Sequence, residues 1–299
     1  MRFSTRSSLP GLSRFVLTVQ PGDTNHVSSV LWERIMRFDK EKQWIGAVYA
    51  EDLELMGEML VEEPSLANFS HEAFDDPYRE GRFPVYTLPF AICGPPQQQI
   101  EWRQVERTIN FEMVRMLVEA GADPNIENVH GRPLCLCRDE QIARYLIEQG
   151  ADINRWHDNG GAPVYFSVWQ IDPERLRMQI RLGADPTRIN PHNGSSAFHS
   201  AAEVRPGDEH LADHLETIRI LRESGLDPNH AAGSGVQSDW GPIYQGDAPL
   251  HMAVQLNRPE VIEALIAAGC DPAGTNAVDE TPRDVASRVG RGQETLRLL

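Results

Sequence analysis

The chain has 299 residues, with 28 Lys or Arg against 44 Asp or Glu, so its formal net charge at neutral pH is −16. This charge argues against nucleic-acid binding, because proteins bind phosphates chiefly through Lys and Arg, and it favours a basic protein partner. No stretch approaches the roughly 18 apolar residues of a membrane span. Four cysteines in so long a chain do not indicate a secreted disulfide scaffold. We therefore predict a cytoplasmic protein that contacts neither nucleic acid nor membrane.

The first 40 residues differ in character from the remainder. The segment 1–20 contains three arginines and no acid, and its apolar stretch Phe15–Leu17 is too short for the hydrophobic region of a signal peptide. Spaced apolar side chains in residues 27–40 predict an N-terminal capping helix. The chain has only two lysines, Lys40 and Lys42, and such a bias towards arginine favours a GC-rich, bacterial source.

Five copies of a short glycine phrase recur along the chain, and each follows a stretch with helical periodicity. Gly ends a helix in the left-handed conformation without a steric penalty, and in four copies a Pro three residues later prevents the helix from continuing. A regular array of short helical units is typical of a binding scaffold rather than an enzyme. The copies are Gly121–Pro124, Gly150–Ile153, Gly183–Pro186, Gly225–Pro228 and Gly269–Pro272.

A second phrase, with Pro at a position suited to the first turn of a helix, precedes most of these glycines. Its clearest copy is Gly246–Ala253, and the others are Gly81–Tyr86, His130–Cys135, Gly161–Tyr165, Ser196–Ala202 and Glu280–Arg283. The step from this Pro to the following Gly is 20 residues in two units, Pro163 to Gly183 and Pro249 to Gly269. The step from Gly to the next Pro position is 12 to 14 residues at four junctions, so the period is close to 33.

This Thr-Pro-Leu-His-x-Ala phrase followed by Gly-Ala-Asp resembles the ankyrin repeat, which has a β-turn and two antiparallel helices in about 33 residues. The resemblance covers about six repeats over residues 40–299. It implies an all-α solenoid of stacked helix-turn-helix units with β-turn fingers. We expect an N-terminal segment and capping helix at 1–40 and the ankyrin-repeat domain at 41–299, with residues 291–299 as the second helix of a C-terminal cap.

Three segments exceed the regular spacing and one unit falls short of it. Insertions are predicted near 94–110, 203–212 and 230–246, with excesses of 17, 8 and 11 residues, whereas the step from Pro133 to Gly150 is three residues short. Loops of a solenoid tolerate insertions, so sequence drift and a role in binding both remain open. Two of the insertions carry large aromatic residues, which favours binding. Gln179 also departs from the pattern, because other units have Leu at its position and a buried Gln requires hydrogen-bond partners.

The register of the repeats places a set of side chains on the concave surface of the predicted stack or in its fingers. Apolar side chains there indicate either a protein partner or packing against the chain's own insertions. The predicted partner-binding residues are Phe90, Leu136, Arg138, Phe166, Trp169, Gln170, Met252 and Gln255 from the first helices, Trp102, Trp240 and Tyr244 from the insertions, and Trp156 and His157 from a finger.

Two His and two Cys residues have a structural interpretation. His199 and His251 stand at the His position of the repeat, where the imidazole usually binds the backbone of a neighbouring turn. Cys137 and Cys270 replace small Ala residues of the repeat, which suits a small buried side chain. The sequence contains neither a phosphate-binding Gly loop followed by Lys nor a Gly-x-Ser-x-Gly motif. We therefore predict no catalytic residue, no cofactor and no metal.

The function that these features favour is non-catalytic recognition of a protein partner by a monomer. A bacterial immunity protein that neutralises a basic toxin or effector would combine the acidic charge with the missing export signal. A secreted effector that binds a host protein is one alternative, and the basic, acid-free segment 1–20 favours it. A metal-dependent enzyme is another, because His210 and His214 are four residues apart with Glu209 and Asp213 beside them.

Overall fold

The computed structural model describes residues 40–48, 50–75, 82–93, 110–127, 132–157, 161–203, 210–233, 237–238, 241–242 and 246–299. Nearly all of the predicted capping helix at 27–40 and of the insertion near 94–110 lies outside these residues, as does the part of the second insertion at 204–209. The chain divides into two compact units, with the boundary between Met56 and Gly57. In the first unit, residues 40–48 form helix α1, and helix α2 (Leu53–Glu62) begins.

The second unit is built from pairs of helices that repeat along the chain. In each pair a first helix is followed by a second helix, and successive first helices contact one another. The first helices are α3 (Thr87–Cys93), α5 (Pro133–Leu136), α7 (Pro163–Trp169), α9 (Ala197–Ala202), α11 (Pro249–Leu256) and α13 (Pro282–Arg288). The second helices are α4 (Phe111–Glu119), α6 (Glu140–Glu148), α8 (Pro173–Arg181), α10 (Leu211–Glu223), α12 (Pro259–Ala268) and α14 (Gln293–Leu298). We call the surface formed by the first helices the first-helix face.

The structure uses the start and stop positions that the sequence predicts. Four first helices begin at the predicted Pro, and α9 begins at Ala197 in the same position. Each of the five stop glycines has a positive φ, between 82° and 106°, and closes the turn after a second helix. A side chain in this conformation would be strained, which explains why Gly recurs at every copy. The predicted C-terminal cap helix is present as α14.

Two of the fingers, the turns that connect one repeat to the next, carry short strand pairs. Strand β1 (Ser70–Asp75) pairs antiparallel with β2 (Arg82–Tyr86), and β3 (Gln237–Ser238) pairs with β4 (Gly241–Pro242) inside the predicted insertion near 230–246. The expectation that Pro84 starts a first helix is wrong, because Pro84 lies in β2 and α3 begins three residues later, at Thr87. Helices nevertheless form the stack, so the predicted solenoid of helix-turn-helix units is confirmed.

The second helices bury one apolar stripe each. Val114 and Leu117 in α4 and Val261 and Leu265 in α12 are fully buried, as the helical period of the sequence predicts. Removing one such side chain from water contributes roughly 1.5–3 kcal/mol to stability. One pair of helices cannot cover its own stripe, so the stack of repeats forms the core of the second unit.

Asparagine side chains join successive fingers at four junctions. In each case the side-chain amide donates to the carbonyl of a stop glycine in the next repeat, and the side-chain oxygen accepts from the N–H of the Asp two residues after that glycine. The eight distances lie between 2.7 and 3.1 Å. The residues that form this asparagine ladder are Asn68, Asn125, Asn154 and Asn229.

Thr187 interrupts the asparagine ladder, and restoring Asn there is expected to stabilise the protein. Thr187 stands four residues after Gly183, where three of the other four copies have Asn and the last has Ala, and its Oγ1 donates instead to Asp185 at 2.6 Å. Thr187→Asn would add two hydrogen bonds to the next finger, so we expect the free energy of unfolding to rise by about 1 kcal/mol. Chemical denaturation measures this change. Thr187→Ala is the control, and an Asn variant no more stable than the Ala variant would contradict the prediction.

Candidate functional site

Leu136 and Met252 lie in the core, which corrects the prediction that they face a partner. Each occupies the fourth position of its first helix. Met252 is only 4% exposed because α11 packs between α9 and α13, and Leu136 is buried in α5, which packs between α3 and α7. Neighbouring repeats cover these two side chains, so Leu136 and Met252 require no partner to cover them.

Trp156 and His157 hold a finger in place. His157 is buried, and its Nδ1 lies 2.8 Å from Oε1 of Glu127 in the preceding finger. The ring of Trp156 lies 4.9 Å from the ring of Tyr165 and 5.5 Å from the guanidinium carbon of Arg188. The prediction that His157 contacts a partner is therefore wrong, because the side chain is enclosed by its own repeat array. Trp156 is half-buried, and much of its surface is used in these contacts.

Of the other predicted residues, one lies in α11 and several are outside the residues that the structure describes. Gln255 is half-buried in α11, where its Nε2 is 3.4 Å from Oδ2 of Asp247 and its backbone carbonyl accepts a hydrogen bond from Arg291. The side chain of Phe90 in α3 is outside the described part of the chain, as are Trp102, Trp240 and Tyr244. The remaining candidates, which come together on the first-helix face, are Arg138, Phe166, Trp169 and Gln170.

The short repeat leaves a notch on the first-helix face. The shortfall of three residues lies in α5, which has four residues, whereas the neighbouring α7 has seven. The last turn of α7 therefore has no turn of α5 beside it, and Trp169 at its end is 55% exposed. The ring of Phe166 lies edge-on to the indole, with 6.0 Å between the ring centroids. We call this place the Trp169 notch, formed by Arg138, Phe166, Trp169, Gln170 and Asp172.

An ion pair lies at the base of the Trp169 notch. Arg138 follows the end of α5, and its Nη2 lies 2.9 Å from Oδ2 of Asp172. Asp172 is also the N-cap residue of α8, where its Oδ1 accepts the backbone N–H of Arg175 at 3.1 Å. A capping carboxylate is held by the helix it caps. Asp172 therefore presents a fixed partner to Arg138, whose side chain is 38% exposed.

Behind the notch, three polar side chains form a buried network inside the α7–α8 repeat. Arg175 is 4% exposed, and its Nε donates to Oγ of Ser167 at 2.9 Å while its Nη2 donates to the side-chain oxygen of Gln170 at 2.8 Å. Ser167 donates to the side-chain oxygen of Gln179 at 2.8 Å, and Gln179 donates to the carbonyl of Leu134 at 3.3 Å. These bonds supply the partners that a buried Gln needs.

The sequence indicates only part of this network. Gln179 is recognisable as a departure, because other second helices have Leu at its position. Arg175 lies four residues before Gln179, at the position where α6 has Ile142 and α12 has Val261. This residue is not among the departures identified from the sequence. Ser167 stands where α11 has Ala253. Position by position, this helix pair carries three polar residues, Ser167, Arg175 and Gln179, where other repeats have apolar ones.

The network contains a buried positive charge, the guanidinium of Arg175. Burial lowers the pKa of Arg175 to about 10, with Asp172 acting in the opposite direction, so the guanidinium remains charged at neutral pH. Oδ2 of Asp172 lies 3.5 Å from Nε of Arg175 as well as 2.9 Å from Arg138. One carboxylate thus stands between two guanidinium groups, in a chain whose net charge is −16.

The alternative site at His210 and His214 is not assembled as a metal site. His214 is buried in α10, whereas His210 is exposed at the start of that helix, with its Nδ1 3.7 Å from a carboxylate oxygen of Asp213. Glu209 is outside the described residues. Within the part of the chain that the structure describes, no group of three or more His, Cys, Asp or Glu side chains is placed to hold a metal ion.

His199, His251, Cys137 and Cys270 have the structural roles that the sequence predicts for them. His199 accepts the N–H of Ser196 and lies 2.9 Å from the carbonyl of Asp247, and His251 makes the corresponding contacts with Ala248 and Glu280. Cys137 and Cys270 are buried, and burial raises the pKa of each thiol to about 12. Neither cysteine is therefore an ionised nucleophile at neutral pH.

Comparison with known proteins gives one family model and several partial relatives. The model of the ankyrin repeat matches residues 245–280. A Danio rerio protein named as a palmitoyltransferase, ZDHHC13, is 27% identical over 52% of this chain and 22% of its own length. Protein PhlB of Serratia liquefaciens is 26% identical over 48% of this chain and 57% of its own length. The chain thus matches about a fifth of the first relative and just over half of the second.

The fold extends beyond the segment that the family model matches. The crystal structure of the ankyrin repeat domain of Bcl-3 aligns with 86% of this chain and 96% of its own, with a TM-score of 0.57 and 19% identity. Among the helices described, none is both long and apolar enough to cross a membrane. Residues 245–280 thus match the ankyrin repeat, and the stacked helix pairs of the chain have the fold of an ankyrin-repeat solenoid.

Proposed function

We propose that this protein recognises a protein partner without catalysis and that the Trp169 notch is the centre of the contact surface. The observation that carries the proposal is the exposed indole of Trp169 next to Phe166 and the ion-paired Arg138. Tryptophan and arginine are the residues whose truncation most often weakens protein interfaces strongly. A large exposed aromatic ring on a rigid helix end binds with little loss of side-chain entropy.

The partner is basic overall, and this part of the proposal rests on charge. The −16 net charge of the chain attracts a basic protein at long range and accelerates association at low ionic strength. A bacterial immunity protein that neutralises a basic toxin or effector is the specific form we favour. A host protein bound by a secreted effector is the competing form, and it is distinguished by testing whether the chain is exported and whether export requires residues 1–20.

The test of the binding surface uses Trp169→Ala. We expect this variant to bind a basic partner, such as a toxin encoded by a neighbouring gene, at least tenfold more weakly than the unchanged protein, because truncating a central Trp commonly costs about 2 kcal/mol or more. Isothermal titration calorimetry measures the affinity, and circular dichroism verifies that the fold is kept.

Val278→Ala is the matched control, because Val278 is 58% exposed in the last finger, away from the Trp169 notch. Equal affinities for the unchanged protein and Trp169→Ala would exclude the proposed surface. Association rates that do not fall with added salt would remove the argument for a basic partner while leaving the surface intact.

A further inference from the structure

We propose that the Trp169 notch binds an acidic side chain that neighbours a large apolar side chain in a segment of the partner protein. This inference rests on the proposed function and specifies the chemistry of its central contact. Two features of the notch carry it: two arginines that share one carboxylate, and an exposed aromatic residue three positions before that carboxylate in the chain. Together they fit a partner segment that is apolar and acidic at adjacent positions.

In the charged half of the notch, two guanidinium groups share one carboxylate. Asp172 lies between Arg138 and Arg175. Among the charged side chains, Asp172 and Arg138 shift the pKa of Arg175 most strongly, Asp172 upwards and Arg138 downwards. A guanidinium has five N–H donors in a planar fork. Nη2 of Arg138 contacts Asp172, and 38% of the Arg138 side chain is exposed. A second carboxylate bound there would neutralise the cluster and would receive charge-assisted hydrogen bonds.

The apolar half of the notch adjoins that charge. Trp169 exposes more than half of its surface, and Phe166 packs against its edge. Only two residues separate Trp169 from Asp172 along the chain, so the indole and the ion pair are presented together. The guanidinium carbon of Arg175 lies 5.9 Å from the Phe166 ring centroid, which ties the aromatic pair to the charged network. An apolar side chain on the indole would place its neighbour within reach of Arg138.

The buried network holds this surface in its binding conformation. Gln170 follows Trp169 directly, and its side-chain oxygen accepts a hydrogen bond from Arg175. Arg175 is in turn fixed by Ser167, which is bonded to Gln179. Ordering of flexible side chains is a main cost of binding. Because α7 is anchored from behind, that cost is reduced for the residues at its end.

The local charge does not conflict with a basic partner. The net charge of −16 acts during approach, over distances up to the Debye length of about 8–10 Å at physiological salt. At contact, the nearest groups decide which side chain is accepted. A Lys or Arg placed on Arg138 would meet a second cation behind it, whereas an Asp or Glu would meet a cluster of opposite charge. A basic protein with one acidic residue at this point satisfies both conditions.

The experiment selects random 12-residue peptides displayed on phage against the full chain. We expect the enriched peptides to contain Asp or Glu within three residues of Trp, Phe, Leu or Met. Synthetic copies of these peptides should bind at least tenfold more weakly to Arg138→Gln, and replacing their acidic residue with its amide should cause a similar loss. Selection against Arg138→Glu should enrich basic residues in place of acidic ones.

Arg144→Gln is the matched control, since Arg144 is an exposed, ion-paired arginine on α6 outside the notch. Selected peptides that are basic or uncharged, or acidic peptides that bind Arg138→Gln unchanged, would overturn the inference. Peptides that lose affinity with Trp169→Ala but not with Arg138→Gln would overturn only the acidic contact and would keep the proposed surface. Peptides that are insensitive to both variants would count against the notch itself.

Discussion

Gln179→Leu is expected to lower the free energy of unfolding by about 2 kcal/mol, even though it installs the residue that other repeats carry. The hydroxyl of Ser167 would lose its acceptor and the carbonyl of Leu134 would lose a donor, and both are in the protein interior. Leaving buried polar groups without partners costs roughly 1–3 kcal/mol. Urea denaturation followed by circular dichroism measures the change as a shift in midpoint.

Restoring the whole apolar set should recover part of this loss. The triple variant Ser167→Ala, Arg175→Val and Gln179→Leu carries residues found at these positions in other repeats and no longer leaves the Ser167 hydroxyl without an acceptor, so it should be more stable than Gln179→Leu alone. Gln141→Leu, on the exposed side of α6, is the control for adding a leucine and should change stability by less than about 0.5 kcal/mol. A triple variant that is less stable than Gln179→Leu alone would show that the network is not a local replacement for apolar packing.

Stability should fall as the pH is lowered from about 6.5 to about 4, and His199 should account for a large part of the change. Burial lowers the pKa of His199 to about 4, against 6.5 for an exposed histidine. In this range the unfolded chain binds a proton that the folded protein does not, so acid favours unfolding. The stabilisation is complete above pH 6.5 and lost near pH 4, and the shift corresponds to ~3 kcal/mol.

The measurement is the free energy of unfolding between pH 4 and pH 7 for the unchanged protein and His199→Gln, which cannot titrate. We expect a smaller slope against pH for the variant, together with lower stability at pH 7 because the contact with the Asp247 carbonyl is weakened. His192→Gln removes an exposed histidine and should leave the slope nearly unchanged. Parallel curves for His199→Gln and the unchanged protein would contradict the assignment.

The regular part of the fold was predictable because its signals are local. Gly at each stop and Pro at each helix start act through backbone geometry, which does not depend on distant contacts. The start of α3 was mispredicted for a physical reason as well. Pro84 lacks a backbone N–H and is also tolerated in a strand of a two-stranded pair, so the phrase Gly81–Tyr86 does not by itself determine a helix. Thr87 begins the helix instead.

The candidate site was predictable only in outline. Trp169, Phe166 and Arg138 followed from the register of the first helices, but Leu136 and Met252 were placed on the same face although they are buried. The burial of a residue on this face depends on how far the neighbouring first helices extend beside it, and therefore on the lengths of those helices. The short α5 exposes Trp169, whereas α11 is covered on both sides.

Arg175 was missed because its surroundings come from other segments. It lies in α8 near Arg177 and Arg181, and a helix rich in arginine is normally solvated along that side. Its burial depends on acceptors from Ser167 in α7 and Gln170 after it, and on the carboxylate of Asp172. Such a set of partners is determined by tertiary packing, so a single helical pattern does not indicate it.

The gap in the asparagine ladder at Thr187 has a consequence for how the domain comes apart. In a linear array each repeat is stabilised by its own folding and by the interfaces with its two neighbours, so the weakest interface divides the array into cooperative segments. At this interface α8 packs on α10, and the partly exposed ion pair between Arg177 and Glu216 adds little to that packing. We therefore expect this interface to be weaker, by the two missing hydrogen bonds, than it would be with Asn at position 187, and the Trp169 notch lies on its N-terminal side.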